Sequence, residues 1–556
     1  MSLGISGCQK LDLNPLSEGS TENWYKDEQE IELSLNALYN PTLWYVEAAR
    51  LYNTDRYTDD WGQRAQLYDY VAGTITSDWS DAENTWTNTY KGIARANSIL
   101  DNLSKAKGSV SEKKLNEFKG EACFFRASFY SYLIFLFGDV PFYTHYLPLT
   151  EAFKKGRTDK DVILKSIYED YDTAAAYLPV KNDGGGFQRV TKGTAYAFKA
   201  RAALWMGDYK TVKAASEKCM ELNVYSLDPS YSHLFLPSTT SDPEFILVFP
   251  RSEELTGSAV SVKSYLPRNS GGTAVAQPSW ELFCSYTCTD GLPIDKSSLY
   301  DPQHPFKNRD PRLAETTVEF GTPFLGYIYD PGAAKVENIK TNKLVKNKDS
   351  QLGDQYAPFD GLMLKKGVDD SWADDMNADL NIIVMRYADV LLMYAEAKME
   401  LGEIDDSLFS ALNQVRARAY GVSPDDVNHY PVITETDQAK LRMIIRNERR
   451  VELAWEGRRF FDLIRWKIAD IALNRPIVAL PTKSGLAANI ASGDYFFPKN
   501  ALPIVEQNGL VDLSPLINTG KVRVVIQRGF QDKEYLWPIP TQEIKIDKSL
   551  TQNPDY

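Results

Sequence analysis

The amino-acid pattern predicts a mainly α-helical chain, a scaffold of paired helices carrying a large irregular, loop-rich face and minor β hairpins. Three observations predict it. Apolar residues recur at helical spacing up to Leu222, a signature of small residues followed by glycine recurs near Ala200 and Ala395, and between Asn223 and Val384 the helical period gives way to Pro, Gly, Ser and Asp punctuation.

After a polar lead, Ile31, Leu35 and Leu38 mark a helix stopped by Pro41. Trp86, Tyr90, Ile93, Asn97 and Leu100 trace a second seam. Leu115, Phe118, Ala122, Phe125, Phe129 and Leu133 form a third, aromatic one, and Ile163, Ile167, Ala174 and Leu178 a fourth that ends at Pro179. Such stripes are core faces rather than cofactor boxes. Ala200-x-Ala202 followed by Gly207-Asp208-Tyr209 then recurs as Ala395-x-Ala397 followed by Gly402-Glu403-Ile404 at the same internal spacing, with Phe137-Gly138-Asp139-Val140 as a partial third copy. Small residues let helices approach closely, glycine ends a helix in a left-handed turn, and the acid and apolar residue after it start an antiparallel partner. This is tetratricopeptide-like packing. Val212, Ala215, Cys219 and Leu222 line one partner helix, and Leu408, Leu412, Val415 and Ala419 the other.

The copies are far apart, so a large insertion separates them, with one strand candidate at Phe245–Phe249. From Lys521 the tail reads as a hairpin: Val522, Val524 and Ile526 alternate, and Tyr535-Leu536-Trp537 returns before Pro538 and Pro540 stop ladder pairing. The resulting organisation is an N-terminal linker (1–24), a helical region (25–222), a loop-rich insertion (223–384) and a C-terminal region that completes the scaffold (385–556).

Composition narrows the function. The chain is 43% hydrophobic and 25% charged, and no apolar run approaches the roughly 20 residues that span a bilayer. With 75 acidic against 62 basic side chains, its net charge of -13 is repelled by phosphate backbones, so nucleic acid is not an expected partner. The five cysteines (Cys8, Cys123, Cys219, Cys284, Cys288) form no CxxC pair, and the four histidines lack an HExxH context. Gly184-Gly185-Gly186 has no following Lys-Ser/Thr to make a phosphate loop and reads as a flexible turn. No cofactor and no metal is expected. Ile5-Ser6-Gly7-Cys8 resembles a lipobox, with Cys8 either the acylated residue or a free thiol.

The most unusual segment is Arg446-Asn447-Glu448-Arg449-Arg450-Val451-Glu452-Leu453-Ala454-Trp455-Glu456-Gly457-Arg458-Arg459-Phe460-Phe461-Asp462. Its seam of Leu441, Ile444, Glu448, Val451 and Trp455 places a carboxylate on the apolar face, where only arginine partners would keep it ionised. Glu448, Arg449, Glu452 and Arg459 are therefore expected to form a structural ion network. Read as a glycosidase pair, Glu448 and Glu452 would sit side by side on one helix, whereas that chemistry needs two carboxyls facing one bond.

This segment, together with Arg386-Tyr387-Ala388-Asp389-Val390-Leu391, Asn413-x-x-Arg416-x-Arg418, Asp290-Gly291, Arg309-Asp310-Pro311-Arg312, Trp537-Pro538-Ile539-Pro540 and Gln552-Asn553-Pro554, resembles the SusD/RagB family from Cys8 to Tyr556. The resemblance implies a surface-exposed, lipid-anchored protein of the outer membrane, lipidated at Cys8, that captures glycan without cleaving it and docks on a SusC-like TonB-dependent transporter. It also implies sugar sites on exposed loops, built from aromatic platforms with polar fringes. Trp61, flanked by Tyr57, Asp59, Asp60 and Arg64, fits best, followed by Trp372 in its acidic run and by Trp280 and Tyr286 ahead of Asp290-Gly291. Each tryptophan has an alternative as a plug over the core beneath it. The acids around Trp372 also suit calcium, although without EF-hand spacing. Two other functions stay open: a helical scaffold for a protein or peptide ligand, and a hydrolase on the same frame.

Overall fold

The computed structural model describes residues 24–48, 52, 54–63, 66–182, 189–251, 260–494 and 501–556. Its principal helices are α1 (Glu28–Asn36), α2 (Ser80–Asn102), α3 (Glu112–Phe137), α4 (Lys160–Tyr177), α5 (Lys192–Met206), α6 (Tyr209–Glu221), α7 (Tyr387–Glu400), α8 (Asp406–Ala419), α9 (Gln438–Glu452) and α10 (Arg459–Arg465). Polar caps begin most of them: the side chains of Asp27, Ser111, Asp208, Asp405 and Asp437 each accept a backbone N–H in the first turn of the helix that follows.

The helices pack in sequence, α2 on α3, α3 on α4, α4 on α5 and α5 on α6. α3 is the central element and is buried on every side from Gly120 to Phe137. Close approach is built into its neighbour: a Cβ on Gly92 of α2 would lie 2.4 Å from the Phe129 ring. α6 then packs against α7, which in turn packs against α8 and α9. The two small-residue copies, far apart in sequence, are thus adjacent in space, and the scaffold runs on across the insertion as a tetratricopeptide-like stack.

The two copies match up to their glycines and diverge after them. Gly207 and Gly402 both take left-handed φ, at 75° and 73°. Asp208 caps α6 immediately, whereas Glu403 does not cap its partner helix; Asp405 does, two residues later. The partial third copy departs further, because Gly138 adopts φ 74°, ψ -128° and leads into the Val140–Thr158 bridge rather than into a helix.

The insertion closes on itself. Strand Phe245–Phe249 near its start pairs antiparallel with strand Ile382–Arg386 at its end, and the Thr194 hydroxyl of α5 donates to the Ile246 carbonyl. Between them lie short helices at Trp280–Ser285 and Arg312–Thr316 and a four-stranded antiparallel sheet of Thr322–Phe324, Tyr327–Tyr329, Lys335–Asn338 and Lys343–Lys346. The tail does not form the expected hairpin. Strand Arg523–Gln527 pairs instead with Pro476–Ala479, and Asp532–Tyr535 is a 3-10 turn that lets the buried Trp537 donate its backbone N–H to the Leu136 carbonyl. Alternation marks a strand but does not name its partner.

Among the described residues, no helix is long and apolar enough to cross a membrane. Gly207→Ala and Gly402→Ala are each expected to cost about 1 kcal/mol from the left-handed backbone alone, since open space surrounds both positions. Gly92→Ala is expected to cost more, because Phe129 must move. Urea denaturation of the three variants checks this order.

Candidate functional site

Helix α9 carries its charges inward. Glu448, Arg449, Arg450, Val451 and Glu452 are all buried, so the last turn is enclosed on every face and not only along the apolar seam. The Glu452 carboxylate accepts from Arg312 Nη1 (2.9 Å), Arg386 Nη1 (2.7 Å) and Arg418 Nη2. Its backbone carbonyl accepts from Arg386 Nη2 (2.8 Å) and the Tyr231 hydroxyl (2.9 Å). Glu448 takes Arg416 Nη2 at 2.6 Å and Arg312 Nη1 at 2.8 Å. Arg449 reaches Asp389 (2.9 Å) and Asp462 (3.2 Å). Burial alone would raise the Glu452 pKa, but Arg418, Arg386 and Arg312 outweigh it and hold the carboxyl well below the usual range.

The early loop is drawn into this network. Asp59 receives Arg450 Nη2 at 2.9 Å and Arg459 Nε at 2.8 Å, and Asp60 receives Arg450 Nη2 at 2.6 Å. Both aspartates are buried, as is Tyr57, whose hydroxyl donates to Asp81 while its ring lies among Tyr70, Trp79, Phe460 and Trp537. Asp59, Asp60 and Tyr57 are therefore not the exposed polar fringe expected of them. Their acidity suggested solvent, but their counter-ions arrive from α9 and α10, nearly 400 residues away in sequence, and permit burial.

The loop aromatics are likewise interior. Trp61 is 5% exposed; its short strand pairs with Ala276–Pro278, and its ring stacks on Trp455 with centroids 4.7 Å apart. Trp280 and Tyr286 are buried in the same apolar cluster, their polar tips satisfied by the Asp360 carbonyl (3.0 Å) and the Thr316 hydroxyl (2.8 Å). Trp372 plugs a separate cluster with Val262, Leu266 and Phe324. The structure thus gathers Trp61, Trp280 and Tyr286, but as core rather than as an open ledge. Arg64, Cys8 and the Gly184-Gly185-Gly186 turn lie outside the described residues.

Trp455 connects this core to a cleft. Three irregular segments meet there: Tyr52, Thr54 and Asp55 from the early loop, Phe235, Lys366 and Asn381 from the insertion, and Trp455 to Arg458 from the turn after α9. The cleft is narrow, with a cavity volume of about 70 Å³. Trp455 follows the helix with φ 60°, a costly conformation for a bulky residue, and Gly457 follows it at φ 74°. The turn is held by Thr54 Oγ1 donating to the Gly457 carbonyl (3.1 Å) and by the Asp55 carboxyl accepting the Gly457 N–H (3.0 Å). Tyr52 meets the Trp455 ring edge-on at 5.1 Å. The buried indole N–H of Trp455 has no acceptor among the described residues. The sequence placed Trp455 on the helical seam and so missed it; the glycine two residues later is the signal that the helix has already ended.

Two cleft groups titrate unusually. Burial pushes Asp55 up to about 7, against the Gly457 hydrogen bond. Burial also brings Lys366 down to about 8, opposed by Glu456, whose carboxylate it meets at 2.6 Å. Such shifts in a recess mark binding sites more often than bare surface. As potential metal ligands, Asp228, His233 and Asp242 lie within 4.8 Å of one another, with Asp228 and His233 already paired at 2.7 Å. The acids around Trp372 do not converge: Asp369 accepts the Ser371 N–H, Asp374 pairs with Lys340, and Asp375 accepts the Asn377 N–H.

Comparison with known proteins adds to this geometry. The family model described as the SusD family matches residues 249–556, and one described as starch-binding associating with outer membrane matches residues 11–204. SusD-like protein P25 of Formosa agariphila is 27% identical over 83% of this chain and 87% of its own length. A SusD-like carbohydrate binding protein from Bacteroides fragilis superposes with a TM-score of 0.77 at 28% identity, covering 95% of this chain and 99% of that one. A laminarin binding SusD-like protein shares the fold with a TM-score of 0.59 at 22% identity, covering 96% and 100%.

Glu452→Gln leaves three buried guanidinium groups short of one charge and is expected to cost about 3 to 5 kcal/mol, read by chemical denaturation. Asp55 gives a pH signature. Its folded pKa of about 7 exceeds the ~4 of an unfolded aspartate, so the folded state keeps a proton that the unfolded chain releases. The stability this contributes is complete below about pH 4 and is lost as pH rises toward 7. Asp55→Asn should flatten that decline when melting curves are compared across this window.

Proposed function

We propose that this chain, which belongs to the SusD family, is a surface glycan-binding protein that captures oligo- or polysaccharide noncovalently and delivers it to a SusC-like TonB-dependent transporter. The observation that carries the reading is the cleft itself: tyrosine, tryptophan and phenylalanine rings converge there with an amide, a hydroxyl and an indole donor that lacks an acceptor among the described residues. Ring faces suit the apolar face of a sugar, while Asn381, Thr54 and the Trp455 N–H suit its hydroxyls. The 28% identical carbohydrate binding protein from Bacteroides fragilis supports the same ligand class.

The second family description, starch-binding associating with outer membrane, supports a location at the outer membrane. Anchorage through Cys8 and docking on the transporter are parts of the same proposal. The protein acts by holding its ligand, with Glu448 and Glu452 engaged by arginines in the interior rather than facing a sugar bond. A site of this kind binds with affinity on the order of micromolar to millimolar, strengthened on polymers by multivalency.

The test is calorimetric titration with a panel of neutral oligosaccharides, run beside Tyr52→Ala and Asn381→Ala. A cognate glycan should lose roughly tenfold or more in affinity with either variant, equivalent to about 1.4 kcal/mol, while both variants stay folded. No reducing sugar should be released. Absence of binding to every glycan, with binding to a protein or peptide instead, overturns the reading in favour of a helical interaction scaffold.

A further inference from the structure

The lysine-rich edge of the four-stranded sheet plays no part in the cleft. Its strands Lys335–Asn338 and Lys343–Lys346 pair antiparallel, with Lys335 directly opposite Lys346. Side chains alternate along a strand, so these two ammonium groups share the outer face with Glu337 and Leu344 while Val336 points inward. Like charges set opposite each other weaken a ladder. Lys346 is 63% exposed and reaches Asp354 at 3.0 Å, but Asp354 also serves Arg268 at 3.1 Å. Cations therefore outnumber carboxylates at this edge. Lys343 and Lys348 add exposed charge nearby, and Lys340 leans on Asp374 at 3.4 Å.

Beside this edge lies an open depression of about 600 Å³, lined by Lys346, Gln351, Asp354, Gln355, Tyr356 and Lys483 among others. Tyr356 is 57% exposed, the open aromatic surface that the buried tryptophans do not provide. Lys483 arrives from a distant segment at the start of the helix Lys483–Ala491. Two ammonium groups from separate segments, an exposed ring and two primary amides surround the recess with one carboxylate, Asp354, which Lys346 and Arg268 share, and the surplus positive charge suits a sugar that carries negative charge.

The overall charge sharpens the point. A chain of net charge -13 repels polyanions over most of its surface, so attraction to one must be local. Building on the glycan-binding reading, we infer that this depression is a second subsite, selective for glycans bearing carboxylate or sulfate groups. Lys346 and Lys483 neutralise the anion, Tyr356 takes a sugar face, and Gln351 and Gln355 bond hydroxyls. A bound anion would also relieve the Lys335–Lys346 repulsion.

The experiment titrates the full chain with polygalacturonate, dextran sulfate and neutral dextran, at low and at moderate ionic strength. At least one polyanion should bind, weakening roughly tenfold as salt screens the contact, and the two polyanions distinguish carboxylate from sulfate recognition. The double variant Lys346→Gln/Lys483→Gln should lose that binding by tenfold or more while keeping the melting temperature and the affinity of the cleft for neutral oligosaccharides. Polyanion binding that survives the double variant overturns the inference. So does the absence of polyanion binding while neutral glycans still bind, a result that leaves the cleft reading standing. Absence of binding to any glycan, charged or neutral, overturns both.

Discussion

Everything in this fold converges on the buried carboxylate of Glu452. An ionised group with no solvent contact is tolerable only if its lone pairs are filled, and here three arginines fill them from three separate parts of the chain: Arg312 in the insertion, Arg386 at the end of the insertion and Arg418 on α8. The neighbouring residues of α9 repeat the logic. Arg449 binds Asp389 of α7, and Arg450 binds Asp59 and Asp60 of the early loop. One helical turn therefore fixes the mutual placement of segments that hydrophobic burial alone would leave free to slide. Buried ion pairs add little net stability against an apolar alternative, so their effect here is to specify one arrangement rather than to deepen it.

The cleft is a consequence of that arrangement. Beyond Glu452 the chain must leave the helix while Glu456 stays bound to Arg386 and Lys366, and Arg458 to Glu47. The backbone makes the turn by placing Trp455 at positive φ, a strain that the surrounding ion pairs and the Trp61 stack hold in place. Trp61 is thus the support behind the site rather than its surface. Truncating it would hollow the core beneath Trp455, so a loss of binding in such a variant would report collapse of the wall and not a missing sugar contact.

The insertion contributes to framework and recognition alike. Its terminal strands pair with each other, so the helical stack from α2 to α9 is continuous across it, while Glu244, Arg312 and Lys366 tie the insertion into the buried ion network. The cleft sits where the insertion leaves the scaffold, and the lysine edge lies farther out on the insertion's own sheet. A neutral and an anionic recognition surface on one rigid frame would let a heterogeneous polysaccharide be held at two points.

By itself the sequence determined the mainly helical scaffold, the left-handed glycines at Gly207 and Gly402, and the family. These depend on short-range periodicity, on αL-compatible residues at helix ends and on motif order, all of which are written locally. It also marked α9 as a place where carboxylates and arginines must meet. Only the tertiary structure decided which rings are accessible. Trp61, Trp280, Tyr286 and Trp372 lie outside the long helical stripes, Trp61 and Trp372 among polar residues, and so looked exposed, yet partners from distant segments neutralise or cover these segments. Trp455 is core, as its place on the seam suggested, but it lies past the end of the helix, stacked on Trp61 at the base of the cleft, and strand Arg523–Gln527 found its partner at Pro476–Ala479 rather than in the tail. The physical reason is common to all of these: burial and pairing are properties of contacts between residues far apart in the chain, and no local pattern encodes which distant residue will supply the counter-charge or the neighbouring strand.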